Sequence, residues 1–441
     1  MRKRFPLPLP SLGHRTLGLV ALGLLALGAG QALATGFSIY EAGARATALG
    51  CAFTATADDG SALFYNAAGL SFQQGRHVDL NAIAIAPHFK FAGYLSQGGN
   101  LERGISAERD FLVPGFGYTV NNGGKLAYGV GAYAPFGLGV EWQDPEEWVG
   151  RRISYDVGIQ TIYVTPAVSY LLADGLALAV GADVATQHLK LSKYSPDPQF
   201  GENAIQTTIE GRSNPNVTPS LGLMYRPSPQ LSFGAMYHFE KTMVFEDQDA
   251  TLGNVQGPQD PWAPSLIAGL SGSNQTVSSE LNLPSMMSVG MAYSPAPTLR
   301  LEGNYVRFGW STFQSLALDF TTDALDQTIH FGYEDSWQAR FGAEFQASQT
   351  VSLMGGYVRD TTPQPLQSIS PLLPDSNRND YSVGVRWRRG SWDLNASYMA
   401  VMGESRTNVV DGEPLRNTTD YPFGTYKASA HLAGIGIRHS F

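Results

Sequence analysis

The residue types that usually carry chemistry are sparse in this chain, and none is spaced for catalysis. Eight histidines are spread over 441 residues. His431 and His439 lie too far apart to cooperate along one strand, and there is no H-E-x-x-H pair on a helix face to hold zinc. An activated serine needs a base within reach, yet no G-x-S-x-G elbow occurs. A nucleotide-driven motor would need a G-x-x-x-x-G-K-[ST] phosphate loop, which is also missing. Neither an enzyme nor a bound metal or cofactor is expected. The single cysteine, Cys51, excludes a disulfide framework and reads as a small packing residue.

Three patterns point instead to the handling of greasy molecules. Trp262, Leu266, Ile267 and Leu270 are spaced i, i+4, i+5 and i+8, one side of a short helix inside an otherwise polar connection. Such a stripe either captures an apolar ligand or packs across the mouth of whatever surrounds it. Gly129 and Gly131, followed by Pro135, weaken strand pairing and permit a bulge, unless the glycines simply make room for something inside. Lys190, Arg340 and Arg386 lie on alternating segments and are candidates to pair with a carboxylate.

The elements that would position these residues follow from composition. Only 15% of residues are charged, against roughly 25% in soluble domains, and 49 are glycine. Yet the hydrophobic fraction is an ordinary 43%, and membrane helices need continuous apolar stretches of about 20 residues. Hydrophobicity hidden by alternation is the mark of a transmembrane β-barrel. Fourteen alternating segments fall near 77–91, 109–120, 125–137, 155–171, 176–193, 216–226, 230–245, 280–293, 298–310, 331–346, 350–360, 380–389, 391–403 and 427–441. Short turns alternate with long polar connections near 92–108, 138–154, 194–215, 246–279, 311–330, 361–379 and 404–426. This is how a 14-stranded antiparallel barrel with one short-turn rim and one long-loop rim is laid out.

Residues 1–34 read as a cleaved export signal: a basic start at Arg2, Lys3 and Arg4, an apolar run from Leu17 to Leu27, and Ala32-Leu33-Ala34 as the cleavage site. Removing its four basic residues (Arg2, Lys3, Arg4, Arg15) leaves 25 basic against 38 acidic residues, a net charge of −13. Nucleic acid is therefore no partner. A lumen of fourteen strands would leak water unless filled, and residues 35–75, rich in Ala and Gly, are the expected plug ahead of a barrel spanning 76–441.

The run Thr35-Gly36-Phe37-Ser38-Ile39-Tyr40-Glu41-Ala42-Gly43, with Phe64-Tyr65-Asn66-Ala67-Ala68-Gly69-Leu70 after it, resembles the amino-terminal hatch of the FadL family of outer-membrane transporters. The likeness continues through Tyr133-Ala134-Pro135-Phe136-Gly137, Leu281-Asn282-Leu283-Pro284, Gly309-Trp310-Ser311, Tyr333-Glu334-Asp335-Ser336-Trp337 and Leu373-Pro374-Asp375-Ser376-Asn377-Arg378, so it covers the mature chain. Ala67 stands where the family usually has proline, which removes a fixed φ from that turn. The resemblance implies passive passage of long-chain fatty acids or other hydrophobic small molecules. Cargo would be captured on loops, held in a lumenal pocket, and released sideways where the third strand kinks. Phe37 is the implied plug side chain, and Asn66, Ala67, Ala68 and Gly69 close the hatch. Hydrophobic cargo, outer-membrane lipid and lipopolysaccharide are the expected partners of a monomer. An open aqueous porin is the alternative, and a barrel lipase a more distant one.

Overall fold

The computed structural model describes residues 36–95, 99–196, 203–254, 274–415 and 421–441. The export signal and the stripe Trp262, Leu266, Ile267 and Leu270 lie outside the described residues.

Fourteen staves form the wall: β1 (Gly75–Tyr94), β2 (Phe111–Asn121), β3 (Leu126–Tyr133), β4 (Asp156–Ala173), β5 (Leu176–Pro196), β6 (Asn216–Ser228) and β7 (Leu231–His238). They continue with β8 (Met286–Ala296), β9 (Leu299–Phe308), β10 (Ser336–Gln346), β11 (Val351–Asp360), β12 (Arg378–Arg389), β13 (Trp392–Gly403) and β14 (Phe423–Ser440). Each pairs antiparallel with the next, as in β3 with β4 and β12 with β13. The sheet closes because β14 pairs with β1 from Ser440↔His77 to Phe423↔Tyr94. Closure joins the first and last staves, so the ladder groups along that seam find partners without water.

Period two decides which face each residue takes. On β12, Tyr381, Val383, Val385 and Trp387 face outward and are exposed, while Ser382 and Arg386 face inward and are buried. Tyr381 and Trp387 bracket about 20 Å of strand, close to the apolar band of such barrels with aromatic girdles at its edges. No helix among the described residues is long and apolar enough to cross a membrane.

The wall is taller than the sequence suggests. Three of the long connections, 194–215, 246–279 and 311–330, are expected as polar loops, but they carry further strand. Asn203–Arg212, Lys241–Asn254, Asn274–Leu283, Ser315–Phe320 and Gln327–His330 pair in succession above β5 to β10. The reason is alternation in short stretches: Leu316, Leu318 and Phe320 are all buried on one face of their segment.

Residues 36–74 thread the lumen and are almost entirely buried. They form two short helices, α1 (Ala44–Ala48) and α2 (Ala62–Tyr65), and a 3-10 helix, Ala67–Phe72. Small side chains on the segment meet glycines on the wall. A Cβ on Gly384 would lie 2.4 Å from Ala48 Cβ, one on Gly356 2.0 Å from Gly50 N, and one on Gly234 2.2 Å from the Thr54 carbonyl. Much of the glycine excess is therefore a mould for this segment.

Candidate functional site

The ladder between β2 and β3 stops partway up. It runs from Asn121↔Ala127 to Phe116↔Ala132 and ends there. Beyond Tyr133 the chain resumes as the strand Gly137–Glu141, which pairs with β4 but not with Phe111–Gly115 of β2. Among the described residues, the backbone pairing across the two sides resumes in the isolated bridge Ser106↔Trp142. Proline explains the break, because neither Pro135 nor Pro114 of β2 has an N–H to give to a ladder.

The amino-terminal segment takes the vacated edge. Ile39 N–H donates to the Pro135 carbonyl at 2.8 Å, and Gly137 N–H donates to the Phe37 carbonyl at 2.8 Å. Gly129 and Gly131 lie lower, where β3 is paired on both sides. Their missing side chains admit Leu63 of α2: a Cβ on Gly131 would lie 2.9 Å from Leu63 Cβ.

Phe37 sits at the tip of the segment and is buried. Its ring meets Trp310 edge-on at 4.8 Å, Phe313 at 5.4 Å and Phe136 at 6.1 Å. Gly36 has φ +64°, and a Cβ there would lie 2.8 Å from the Trp310 ring. Only glycine reconciles that backbone with so close an indole. Gly36 N–H donates to Asp375 at 3.0 Å. Burial pushes the Asp375 carboxyl up to about 6, against the pull of Arg378 and of the hydrogen bonds from Thr362 and Gly36.

Phe37 also lines a cavity of about 40 Å³ with Leu138, Leu189, Leu191, Leu316 and Leu372. Among the described residues, the only polar side chain in that lining is Tyr333. Room for about one or two waters is far too little for an acyl chain. A more open space of about 430 Å³ adjoins it, sharing Leu191, Ile329 and Leu372, and is lined by Arg152, Lys193, Gln327 and His330. Lys193 Nζ donates to Gln327 Oε1 at 2.8 Å.

Below the tip, charge pins the segment to the wall. Tyr40 O–H donates to Asp380 at 2.5 Å, with the Arg340 guanidinium 4.6 Å over the Tyr40 ring. Arg45 pairs with Asp58 and, at 2.7 Å, with Glu344, which Arg386 also reaches at 3.1 Å. His238 is held between Asp183 Oδ2 at 2.7 Å and the Phe64 carbonyl at 2.9 Å. Burial pushes the Glu41 carboxyl up to about 7, opposed by Arg378.

Asn66 ties the 3-10 helix down. Its amide donates to the carbonyls of Thr54 and of Leu223 on β6, both at 2.9 Å, and its Oδ1 accepts from Ala68 N–H at 3.2 Å. Ala67 and Ala68 are buried, and a Cβ on Gly69 would fall 2.1 Å from the Ala57 carbonyl. These bonds and close contacts seat the turn that carries Ala67.

The three cations singled out in the sequence lie elsewhere. Lys190 pairs with Asp156 at 2.6 Å, Arg386 with Asp393 and Glu344, and Arg340 with Gln338; none lines the apolar cavity. Sequence reasoning missed Lys193, Leu316 and Leu372. The alternation of Leu316 with Leu318 was the available signal for one of them, within a stretch read as loop.

Comparison with known proteins agrees with this architecture. The family model described as outer membrane protein transport protein (OMPP1/FadL/TodX) matches residues 25–441. The long-chain fatty acid transport protein of Escherichia coli O6:H1 strain CFT073 is 22% identical, over 93% of this chain and 95% of that one. The crystal structure of a Pseudomonas aeruginosa FadL homologue superposes with a TM-score of 0.75 at 19% identity, covering 94% of this chain and 100% of that one. The Ralstonia pickettii toluene transporter TbuX gives a TM-score of 0.67 at 17% identity, covering 90% and 98%. The closed fourteen-stave wall, the inner segment and the match over nearly the whole chain lead to one conclusion: this chain belongs to the OMPP1/FadL/TodX family of outer-membrane transport proteins.

Proposed function

We propose that the protein passes fatty acids from the long-loop side into the plane of the membrane, and that the amino-terminal segment is the gate. The observation that carries this reading is Phe37, whose ring walls an apolar cavity while its own carbonyl accepts from Gly137 N–H at the broken edge beside β2. Whatever draws Phe37 away from the cavity also uncovers the break in the wall.

Burial of each CH₂ gains about 0.8 kcal/mol, so an acyl chain competes for the cavity in proportion to its length. Its carboxylate would rest in the adjoining space beside Lys193, Arg152 and His330, where a cation favours the ionised form. Cargo that binds the displaced arrangement better shifts the segment toward it, and a greasy molecule then leaves into lipid rather than into water. Downhill flow of this kind needs no energy source. An open porin is disfavoured by the burial of residues 36–74 across the lumen.

Uptake of labelled oleate and of toluene, in cells with and without the protein, tests the reading. Oleate uptake should depend on the protein, and cysteines at Pro114 and Ala134 joined by a bifunctional maleimide should block it. Uptake of toluene alone would replace the fatty acid by a neutral hydrocarbon, and uptake unaffected by the cross-link would remove the lateral exit. In planar bilayers the protein should conduct almost no ions.

A further inference from the structure

The outer surface of the seam where β14 closes on β1 carries a cluster of cations with no counterpart in transport. Below it the outward residues are small or apolar: Ala84 of β1, and Ala433, Ile435 and Ile437 of β14. Tyr398 of β13 marks the upper edge of this apolar strip, its hydroxyl 2.7 Å from His431 Nδ1. Above that level, toward the long-loop rim, outward positions turn basic. His88 and His431 stand with rings 6.2 Å apart, and Lys90 lies directly across from Lys427 in the ladder.

The strand Glu102–Ile105 adds a third neighbour by pairing with the other edge of β1. Arg103 faces outward opposite Ala92, one outward position beyond Lys90, while Glu102 alternates to the other face. Lys90, Arg103 and Lys427 are all exposed, and none forms an ion pair among the described residues. Beyond Glu102, the acids that follow in the chain, Glu108 and Asp110, stand in the connector before β2; Arg109 between them reaches Glu141 instead.

Like charges placed directly opposite on a sheet repel and destabilise it. A Lys–Lys pair in register, with an arginine beside it, therefore calls for an anion from outside the chain, the more so in a protein whose formal net charge is −9. The height of the cluster says which anion. It begins where the lipid-facing strip ends, and the long-loop rim of such a barrel points away from the cell. Long basic side chains at that level reach headgroups while their stems lie along apolar surface.

We propose that Lys90, Arg103 and Lys427 form a binding site for a phosphorylated lipid of the outer leaflet, with the acyl chains lying over Ala84, Ala433 and Ile435. His88 and His431, at the lower edge, add donors to the same headgroup. The lipid bridges β1 and β14, the first and last staves, and so clasps the barrel across its closing seam.

The test uses the full-length protein in nanodiscs and two probes, bisphosphorylated lipid A and the same lipid with both phosphates removed, read by native mass spectrometry. The wild type should prefer the phosphorylated form by about 100-fold, about fivefold for each of the three cations. Lys90→Gln/Arg103→Gln/Lys427→Gln should lose that preference, whereas Lys90→Arg/Lys427→Arg should keep it. Oleate uptake should be unchanged in both, which separates this site from the transport reading. Folding is checked by the mobility of unheated protein on gels; if the triple variant fails to fold, Lys427→Gln alone should cost about fivefold. Equal binding of the two lipids by the wild type, an undiminished preference in the Gln variants, or full displacement by millimolar inorganic phosphate would each overturn the proposal.

Discussion

If Phe37 holds the cavity against cargo, removing its ring should tighten binding rather than weaken it. Truncation of a packed Phe to Ala costs about 3–5 kcal/mol where the ring is fully enclosed, and Phe37 meets three aromatic neighbours within 6.1 Å. That stabilisation is what cargo must outcompete, because apparent affinity falls with the fraction of protein whose site is occupied by its own side chain. Not all of it would be released in Phe37→Ala. The hydrogen bonds from Gly36 to Asp375, Ile39 to Pro135 and Gly137 to the Phe37 carbonyl remain, each contributing about 1 kcal/mol. An apparent affinity for oleate higher by about 10- to 100-fold is the expected result, since each 1.4 kcal/mol is a factor of about ten. Titration of the purified variant with a fluorescent fatty acid, following energy transfer from tryptophan, measures it; Trp310 lies 4.8 Å from the ring removed. An affinity equal to the wild type or weaker, in a barrel that still migrates as folded, would refute the argument that Phe37 competes with cargo.

The other predictions concern the anchoring of the segment. Arg45→Met leaves half-buried Asp58 with Arg300 and buried Glu344 with Arg386, so stability should fall by about 1–3 kcal/mol, read as a lower temperature of the heat-dependent gel shift. Gly131→Val drives a side chain into Leu63 and should cost about 1–3 kcal/mol without altering oleate affinity; a changed affinity would return Gly131 to the gate itself. Because burial holds the Glu41 carboxyl at about 7, above its unfolded value, its ionisation opposes folding above pH 7, and that penalty is relieved as pH falls through 7 toward the ordinary carboxyl range. Glu41→Gln should therefore stabilise the protein at pH 8, by on the order of 2–3 kcal/mol, and flatten the dependence of unfolding temperature on pH between 5 and 8. A wild-type slope retained in that variant would count against the assignment.

The wall was legible because each stave shows its two faces locally, as in Tyr381, Val383 and Val385 set against Ser382 and Gly384. The tall extension over β5 to β10 was not, because segments such as Gln327–His330 are four residues long and cannot state a period. The cavity was illegible for a different reason. Leu138, Leu189, Leu316 and Leu372 come from four distant stretches, and nothing in their local pattern distinguishes them from lipid-facing leucines. Phe37 was found through family likeness, not through any periodicity. The site of the break shows how near a local argument can come. Glycine and proline marked the right stave, but the ladder fails at Ala134–Phe136, past the glycines, because a missing N–H interrupts pairing whereas a missing side chain does not.

The contacts that seat the inner segment also constrain the order of assembly. Gly36 meets Asp375, Tyr40 meets Asp380, Gly50 meets Ser382 and Arg45 meets Glu344, separations of 339, 340, 332 and 299 residues. The earliest part of the chain is thus docked on staves that follow it by most of the sequence. Bringing such distant partners together is slow, so the contacts of the inner segment can form only after Asp380, Ser382 and Glu344, hundreds of residues later in the chain, have been made and brought back to it.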